Sequence, residues 1–194
     1  MKQSLTDTLR MITKQNFDFS WSRSERTEAI QKYLDYYRLQ VDACEYRYGF
    51  INQGNERIFV QSFSPRKPEA IVLVAHGYFD HTGSMHELIN YLQDSKYHVV
   101  SYDMVGHGLS SGRRAEVDDF STYDEVFESV YRLIRAKCDI PIHTVAHSTG
   151  AAIAMQFILK YSHAISRVVL VAPLVRTYLW RLSSWYYVRS TIFN

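Results

Sequence analysis

From Ala70 onward, short apolar runs alternate with longer stretches that have helical periodicity. The apolar runs are "AIVLVAHG", "HVVSYD", "IHTVA" and "SRVVLVAPL". Runs of this kind are typical of strands that are covered on both faces. The stretches between them are "SMHELINYLQD", "STYDEVFESVYRLIRAKC" and "TGAAIAMQFILKY". Strands that alternate with helices in this way predict an α/β fold with a parallel sheet.

The part of the chain before Ala70 has a different pattern. "SERTEAIQKYLDYYRL" repeats apolar residues at the spacing of an amphipathic helix. "EYRYGFI" and "RIFVQSF" flank the turn-like "NQGN", so they predict an antiparallel β-hairpin. We therefore expect an N-terminal helical segment at 1–43, an α/β core of six strands at 44–173, and a further segment at 174–194. Ser121 and Asp124 form a capping-box pattern at the start of one predicted helix.

Composition excludes several classes of function. A chain of 194 residues suits one domain, and its formal net charge of +2 favours no nucleic-acid partner. Cys44 and Cys138 lie far apart, and we expect both to be reduced thiols. The first residues lack the apolar stretch of a secretory signal, and no run approaches the roughly 18 apolar residues of a membrane span. We therefore expect a cytoplasmic location.

The segment "TVAHSTGAAIA", residues 144–154, passes from a predicted strand into a predicted helix with a serine at the bend. This pattern is close to the G-x-S-x-G nucleophile elbow, in which a strained turn presents the serine to the reacting group. Ala146 replaces the first glycine and Gly150 retains the second. Ser148 is the candidate nucleophile. The alternative is a serine that only caps the helix.

An acyl-transfer site also needs two backbone N–H groups aimed at the developing oxyanion. An elbow supplies one from the residue after the nucleophile, here Thr149. In "HGYFDH", Gly77 permits a turn that presents the amide of Tyr78 as the second donor. The alternative is a tight turn without a role in binding.

Three segments of the core resemble the α/β-hydrolase family of monoacylglycerol lipases and bacterial lysophospholipases, also described as serine aminopeptidase-like hydrolases. They are "HGYFDH", "YDMVGHGLSSGRR" with the following "FSTYDE", and "VAHSTGAAIA". The resemblance spans 70–159 and implies an α/β-hydrolase fold. It also implies that Ser148 is the nucleophile and that the amides of Tyr78 and Thr149 form the oxyanion hole. The family usually has glycine and methionine where this chain has Ala146 and Thr149.

Histidines in the motifs do not match the spacing of a metal site. In this family, His76, His81 and His107 fall in loops where we expect them to hold the backbone. We expect neither a metal nor another cofactor. His147 follows a strand and precedes the nucleophile, and we do not assign it as the base.

The sequence after Ser148 contains no Asp or Glu, and its only later histidine is His163. In this fold the order is Ser, then Asp or Glu, then His. His163 falls between a helix and the next strand, which places it at the opposite edge of the sheet. We expect a fragment that contains neither the acid nor the base of a catalytic triad and is inactive by itself. The strand "RVVLVAP" would then form an uncovered edge of the sheet.

The segment 174–194 falls where the family begins its cap, and it combines aromatic residues with Arg176, Arg181 and Arg189. Two interpretations stay open, a lid that faces lipid at the inner surface of the membrane and ordinary packing of a cap.

Three functions fit these features. The first is a serine hydrolase of carboxylic esters, acting on monoacylglycerols or lysophospholipids through an acyl-enzyme. The second is a non-catalytic module of the same fold that binds a lipid or a partner. The third is a peptidase that uses the same site. The substrate is expected to be a small acyl ester or a monoacyl lipid.

Overall fold

The computed structural model describes residues 4–15, 17–22 and 25–174. The helices are α1 (Leu5–Lys14), α2 (Glu28–Tyr37), a 3-10 helix (Thr82–Met85), α3 (His86–Asp94), α4 (Ser121–Arg135) and α5 (Thr149–Lys160). The strands are β1 (Cys44–Gln53), β2 (Glu56–Pro65), β3 (Ile71–Ala75), β4 (His98–Tyr102), β5 (Ile142–His147) and β6 (Arg167–Val171). The segment 175–194, which the sequence predicts to begin a cap, lies outside the described residues.

Six strands form one mixed sheet in the order β1-β2-β4-β3-β5-β6. β1 and β2 form the predicted antiparallel hairpin, and β2 pairs antiparallel with β4. The remaining pairs, β3 with β4, β3 with β5 and β5 with β6, are parallel. The predicted α/β architecture with an N-terminal antiparallel hairpin is therefore confirmed. The carboxyl ends of β3, β4 and β5 meet at one edge of this sheet.

Helices cover both faces of the sheet, as the continuous apolar run of β3 predicted. Leu73 of β3 belongs to an apolar cluster with residues of α4 and α5, such as Phe127 and Ile153. Its neighbour Val72 belongs to a second cluster with residues of α1, α2 and α3. Successive side chains of a strand point to opposite faces, so β3 is buried on both. Burying each large apolar side chain stabilises the fold by about 1.5–3 kcal/mol.

Before α2, the chain adds a short extension to the hairpin edge that the sequence analysis did not predict. The amide of Phe19 donates to the carbonyl of Phe50, and the amide of Phe50 donates to the carbonyl of Phe17, both at 2.8 Å. A β-carbon added to Gly49 would lie 2.6 Å from the Cα of Phe19, so this close approach requires a glycine. Backbone pairing at Phe50 thus covers part of the edge that β1 would otherwise expose.

The predicted capping box of Ser121 and Asp124 is wrong. Ser121 is the first residue of α4, and the residue before it, Phe120, makes no side-chain cap. Asp119 lies two residues earlier and accepts the amide of Ser121 at 2.8 Å, which lowers the pKa of the Asp119 carboxyl. The helix begins one residue earlier than the pattern assumed, so the capping oxygen comes from a different side chain.

β6 is the outermost strand of the sheet within the described residues. Val168, Val169 and Val171 have 43%, 54% and 47% of their surfaces exposed, although every residue of the strand after Arg167 is apolar. Among residues 4–15, 17–22 and 25–174, the helices lack the length and hydrophobicity that a membrane span needs.

Candidate active site

Ser148 lies at a sharp bend between a strand and a helix. β5 ends at His147 and α5 begins at Thr149, and Ser148 between them has φ 51° and ψ −114°. A positive φ in a residue other than glycine costs about 1–3 kcal/mol and persists only where neighbouring structure holds it. The strained bend predicted at this position is confirmed. The role of Ser148 as nucleophile stays a prediction.

Backbone hydrogen bonds hold this bend on two sides. The amide of Ser148 donates to the carbonyl of Val171 at the end of β6, at 2.9 Å. The carbonyl of Ser148 accepts the amides of Ala152 in α5 and Leu174 beyond β6, both at 3.1 Å. The strand, the helix and the segment after β6 therefore fix the position of Ser148 together.

The glycine after the bend lets α5 approach the end of β3. The amide of Gly150 donates to the carbonyl of His76 at 3.1 Å. A β-carbon on Gly150 would lie only 2.4 Å from that carbonyl oxygen. On the other side of the bend, Ala146 is fully buried and pairs with Ala75 of β3. Small residues on both sides of Ser148 therefore allow two backbones to meet.

The loop after β3 lies directly against Ser148. A β-carbon on Gly77 would lie 3.2 Å from Cβ of Ser148 and 2.9 Å from Nδ1 of His147. Tyr78 follows Gly77, and Thr149 is the first residue of α5, where helix amides have no partner within the helix. The structure thus brings the two predicted oxyanion elements to one place. Their role as donors stays a prediction.

His76 holds backbone rather than moving protons. Its Nδ1 lies 2.7 Å from the carbonyl of Gly77, and its Nε2 lies 2.9 Å from the amide of Met104. Because the Met104 amide donates to Nε2, the ring is neutral and its Nδ1–H donates to Gly77. Burial lowers the pKa of His76, which keeps the ring in that neutral form. The predicted structural role of His76 is confirmed.

The other two motif histidines also contact backbone. Nδ1 of His81 accepts the amide of Ser84 and caps the 3-10 helix, at 3.3 Å. Nδ1 of His107 lies 2.8 Å from the carbonyl of Val105, whereas its Nε2 is buried without a partner within the described residues. The described residues also hold no group of three or more His, Cys, Asp or Glu side chains placed to bind a metal ion.

Asp103 joins the two loops beside the bend, and sequence analysis gave it no role. It is fully buried, and its two carboxylate oxygens accept the amides of Thr82 and Leu109, each at 2.8 Å. A β-carbon on Gly108 would lie 2.1 Å from one of these oxygens. An aspartate directly after a buried strand and before a glycine-rich loop was the signal that could have revealed this contact.

Comparison with known proteins places the chain in a family. Residues 66–192 match the family described as serine aminopeptidase, S33. This chain belongs to the S33 family.

Its relatives and structural neighbours include lipases. The chain is 32% identical to mouse monoglyceride lipase over 127 residues, which are 64% of this chain and 42% of that protein. It is 27% identical to a monoacylglycerol lipase of Mycolicibacterium smegmatis over 140 residues, 71% of this chain and 50% of the other. The chain spans about half the length of the curated relatives it matches. The Paleococcus ferrophilus monoacylglycerol lipase shares the fold with a TM-score of 0.59 at 21% identity, covering 70% of this chain and 52% of that one.

In this S33 chain, His163 lies far from the bend. It falls in the connection between α5 and β6, where the amide of Ser166 donates to the carbonyl of Ile142 at 2.7 Å. Ile142 is the first residue of β5, whereas Ser148 follows the last residue of that strand. The connection therefore lies at the edge of the sheet opposite to Ser148. The expected position of His163 is confirmed.

Proposed function

We propose that the protein containing this chain is a serine hydrolase that cleaves the ester of a monoacylglycerol or a lysophospholipid. The observation that carries the proposal is the strained bend at Ser148, held directly against Gly77 of the loop after β3. The monoglyceride and monoacylglycerol lipases among the relatives support the choice of substrate class.

In the proposed reaction, Oγ of Ser148 attacks the ester carbonyl carbon while a base takes its proton. The carbonyl oxygen becomes an oxyanion, which the amides of Tyr78 and Thr149 stabilise. Collapse of this intermediate expels the alcohol, which receives the proton from the base and leaves an acyl-enzyme. Water then attacks the acyl-enzyme with help from the same base, releases the fatty acid and restores the serine hydroxyl.

This reaction requires a base and an orienting acid, and we propose that both lie outside the 194 residues. No Asp or Glu follows Ser148 in the sequence, and the only later histidine, His163, lies at the opposite edge of the sheet. Both nitrogens of His76 are engaged with backbone. A serine without its base keeps only about 10³- to 10⁴-fold of catalysis over water. The 194-residue chain alone should therefore be a very poor catalyst.

Within this proposal, the chain has the three segments that the sequence patterns predict. Residues 1–43 form the N-terminal helical segment, 44–173 form the hydrolase core, and 174–194 begin the cap over the acyl pocket. We also predict that this aromatic and basic segment contacts a membrane surface. A cytoplasmic location likewise stays a prediction.

Hydrolysis of 1-monooleoylglycerol and p-nitrophenyl butyrate by the full-length protein tests the proposal. Ser148→Ala should lower kcat by about 10⁶-fold, as the loss of a catalytic serine does in other serine hydrolases. Ser166→Ala is the matched control, since it removes a hydroxyl at the opposite edge of the same two strands, and it should leave the rate unchanged. Undiminished turnover by Ser148→Ala would show that another residue is the nucleophile.

A second candidate is hydrolysis of peptides from their amino end, since the matched family is described as serine aminopeptidase. The same serine would then attack an amide. Aminoacyl 4-nitroanilides assayed beside the esters distinguish the two activities. If kcat/KM is higher for the anilides than for 1-monooleoylglycerol, the peptidase assignment replaces the lipase assignment. Binding of monoacyl lipid without any Ser148-dependent turnover would favour a non-catalytic module.

A further inference from the structure

The loop beside Ser148 carries an exposed aromatic residue in an unfavourable backbone conformation. The amide of Asp80 donates to the carbonyl of Gly77 at 3.3 Å, so residues 77–80 form a tight turn. Phe79 is the third residue of this turn and has φ 60°, a conformation that glycine adopts without strain. Its side chain is 83% exposed. Packing in the described part of the chain therefore does little to offset the strain.

Hydrogen bonds on both sides keep the turn in this conformation. The carbonyl of Gly77 also accepts the Nδ1–H of His76 at 2.7 Å. The carboxylate of Asp80 accepts the amide of His81 at 3.0 Å and the hydroxyl of Ser84. The ring of Phe79 is thus held outward by a turn that its neighbours fix. Strain that neighbours maintain in this way is common where a ligand is bound.

Two aromatic rings lie together at this turn. The ring centroids of Phe79 and Tyr78 are 4.6 Å apart, and Tyr78 is 40% exposed while its hydroxyl donates to the carbonyl of Ala115. Gly77, two residues before Phe79, lies against Ser148. An apolar surface therefore begins within a few residues of the predicted nucleophile.

Phe79 differs from the other strained positions. The described residues with positive φ, apart from glycines, are Arg38, Lys67, Phe79, Lys96, Ala115, Ser148 and Ala172. Phe79 is the only aromatic residue in this set. It is also the only one on the loop after β3, at the edge of the sheet where ligands bind in α/β folds.

We propose that Phe79 is a specificity-determining residue whose ring contacts the acyl chain of an ester bound at Ser148. This proposal rests on the proposed function and adds the residue that selects chain length. Of the two parts of a monoacylglycerol, the glycerol carries hydroxyl groups and the acyl chain is apolar. A phenyl ring has no polar atom to satisfy a hydroxyl, so it favours the acyl chain.

The test is a series of p-nitrophenyl esters, from acetate to dodecanoate, hydrolysed by the full-length protein. Phe79→Gly removes the ring and relieves the strain, so this variant should fold at least as well as the wild type. The ratio of kcat/KM for dodecanoate to kcat/KM for acetate should fall by about tenfold or more. Most of this loss should appear as a higher KM for the long ester. Phe79→Leu keeps an apolar side chain and should retain part of the preference.

Lys96→Gly is the matched control, because Lys96 has φ 63° in the loop between α3 and β4. It relieves similar strain away from Ser148 and should leave the preference unchanged. If wild type and Phe79→Gly show the same chain-length preference while Ser148→Ala abolishes turnover, this proposal is overturned and the proposed function stands. If the wild type has no turnover that depends on Ser148, the proposed function is overturned and this proposal falls with it.

Discussion

The carbonyl of His76 accepts the amide of Gly150 at 3.1 Å, which joins the end of β3 to the first turn of α5. His76 lies in the loop that carries Tyr78, and Gly150 follows Thr149, so the bond joins the two segments that the sequence predicts to supply the oxyanion donors. One backbone hydrogen bond thus fixes the loop of Tyr78 relative to Ser148. Because Gly150 has no side chain, the two backbones can come this close.

Gly150→Ala should destabilise the protein by about 2 kcal/mol or more, since its β-carbon would lie 2.4 Å from the carbonyl oxygen of His76. Urea unfolding at constant m value measures the change. Gly54→Ala is the control, because Gly54 has φ +57° but open space around it. It should cost only about 1 kcal/mol from backbone strain. Equal costs for the two variants would contradict the importance of the close approach at Gly150.

Asp103→Asn should destabilise the protein by about 3 kcal/mol, because the NH2 group that replaces one carboxylate oxygen cannot accept the buried N–H group facing it. Asp139→Asn is the control, since Asp139 is fully exposed and its ion pair with Arg135 is long, at 3.7 Å. It should change stability by less than about 0.5 kcal/mol. Hydrogen exchange provides a second measurement. The amides of Thr82 and Leu109 should lose protection in Asp103→Asn, and unchanged protection would show that they do not depend on Asp103.

The bend at Ser148 could be predicted from sequence because its signal is local. A buried strand, a small residue, the serine and an Ala-rich helix all fall within residues 142–160. The parallel core was predictable for the same reason, since continuous apolar runs indicate strands buried on both faces.

The missed features depend on residues that are distant in the chain. Asp103 meets Thr82 across 21 residues, and Phe19 meets Phe50 across a longer separation. No local hydrophobic pattern in the sequence indicates such contacts. The capping residue of α4 was missed for another reason, because the capping-box pattern of Ser121 and Asp124 places the start of the helix one residue too late.

His98 should make stability depend on pH. It is buried and lies 2.8 Å from the hydroxyl of Ser62, and burial, with a smaller contribution from Arg47, lowers its pKa from 6.5 to about 4. Because the folded pKa lies below the unfolded value, the unfolded chain binds the proton more readily. Stability is therefore full above about pH 6.5 and falls as the pH drops towards 4, by about 3 kcal/mol in total.

Chemical denaturation of wild type and His98→Gln between pH 4 and pH 7 checks this dependence on His98. The difference in unfolding free energy between them should shrink as the pH falls, since glutamine does not titrate. A difference that stays constant across the range would contradict a neutral, buried His98.

The exposed valines of β6 should make the 194-residue chain associate with itself. Val169 is 54% exposed on the outermost strand of the described sheet, and an apolar edge of this kind pairs with other strands. Val169→Lys places a charge on that edge and should shift the chain towards monomer in analytical ultracentrifugation. Leu159→Lys, at a position on α5 that is 80% exposed, is the control. A wild-type chain that is monodisperse and monomeric would contradict the prediction.

Covalent labelling of the full-length protein with a fluorophosphonate tests the assignment of Ser148 most directly. Trypsin releases residues 138–160 as one peptide, and Ser148 is its only serine. Mass spectrometry should find the adduct on this peptide at Ser148, and Ser148→Ala should abolish labelling while Ser166→Ala labels like the wild type. An active esterase that carries its label on another peptide, or that still labels after Ser148→Ala, would contradict the assignment of Ser148 as the nucleophile.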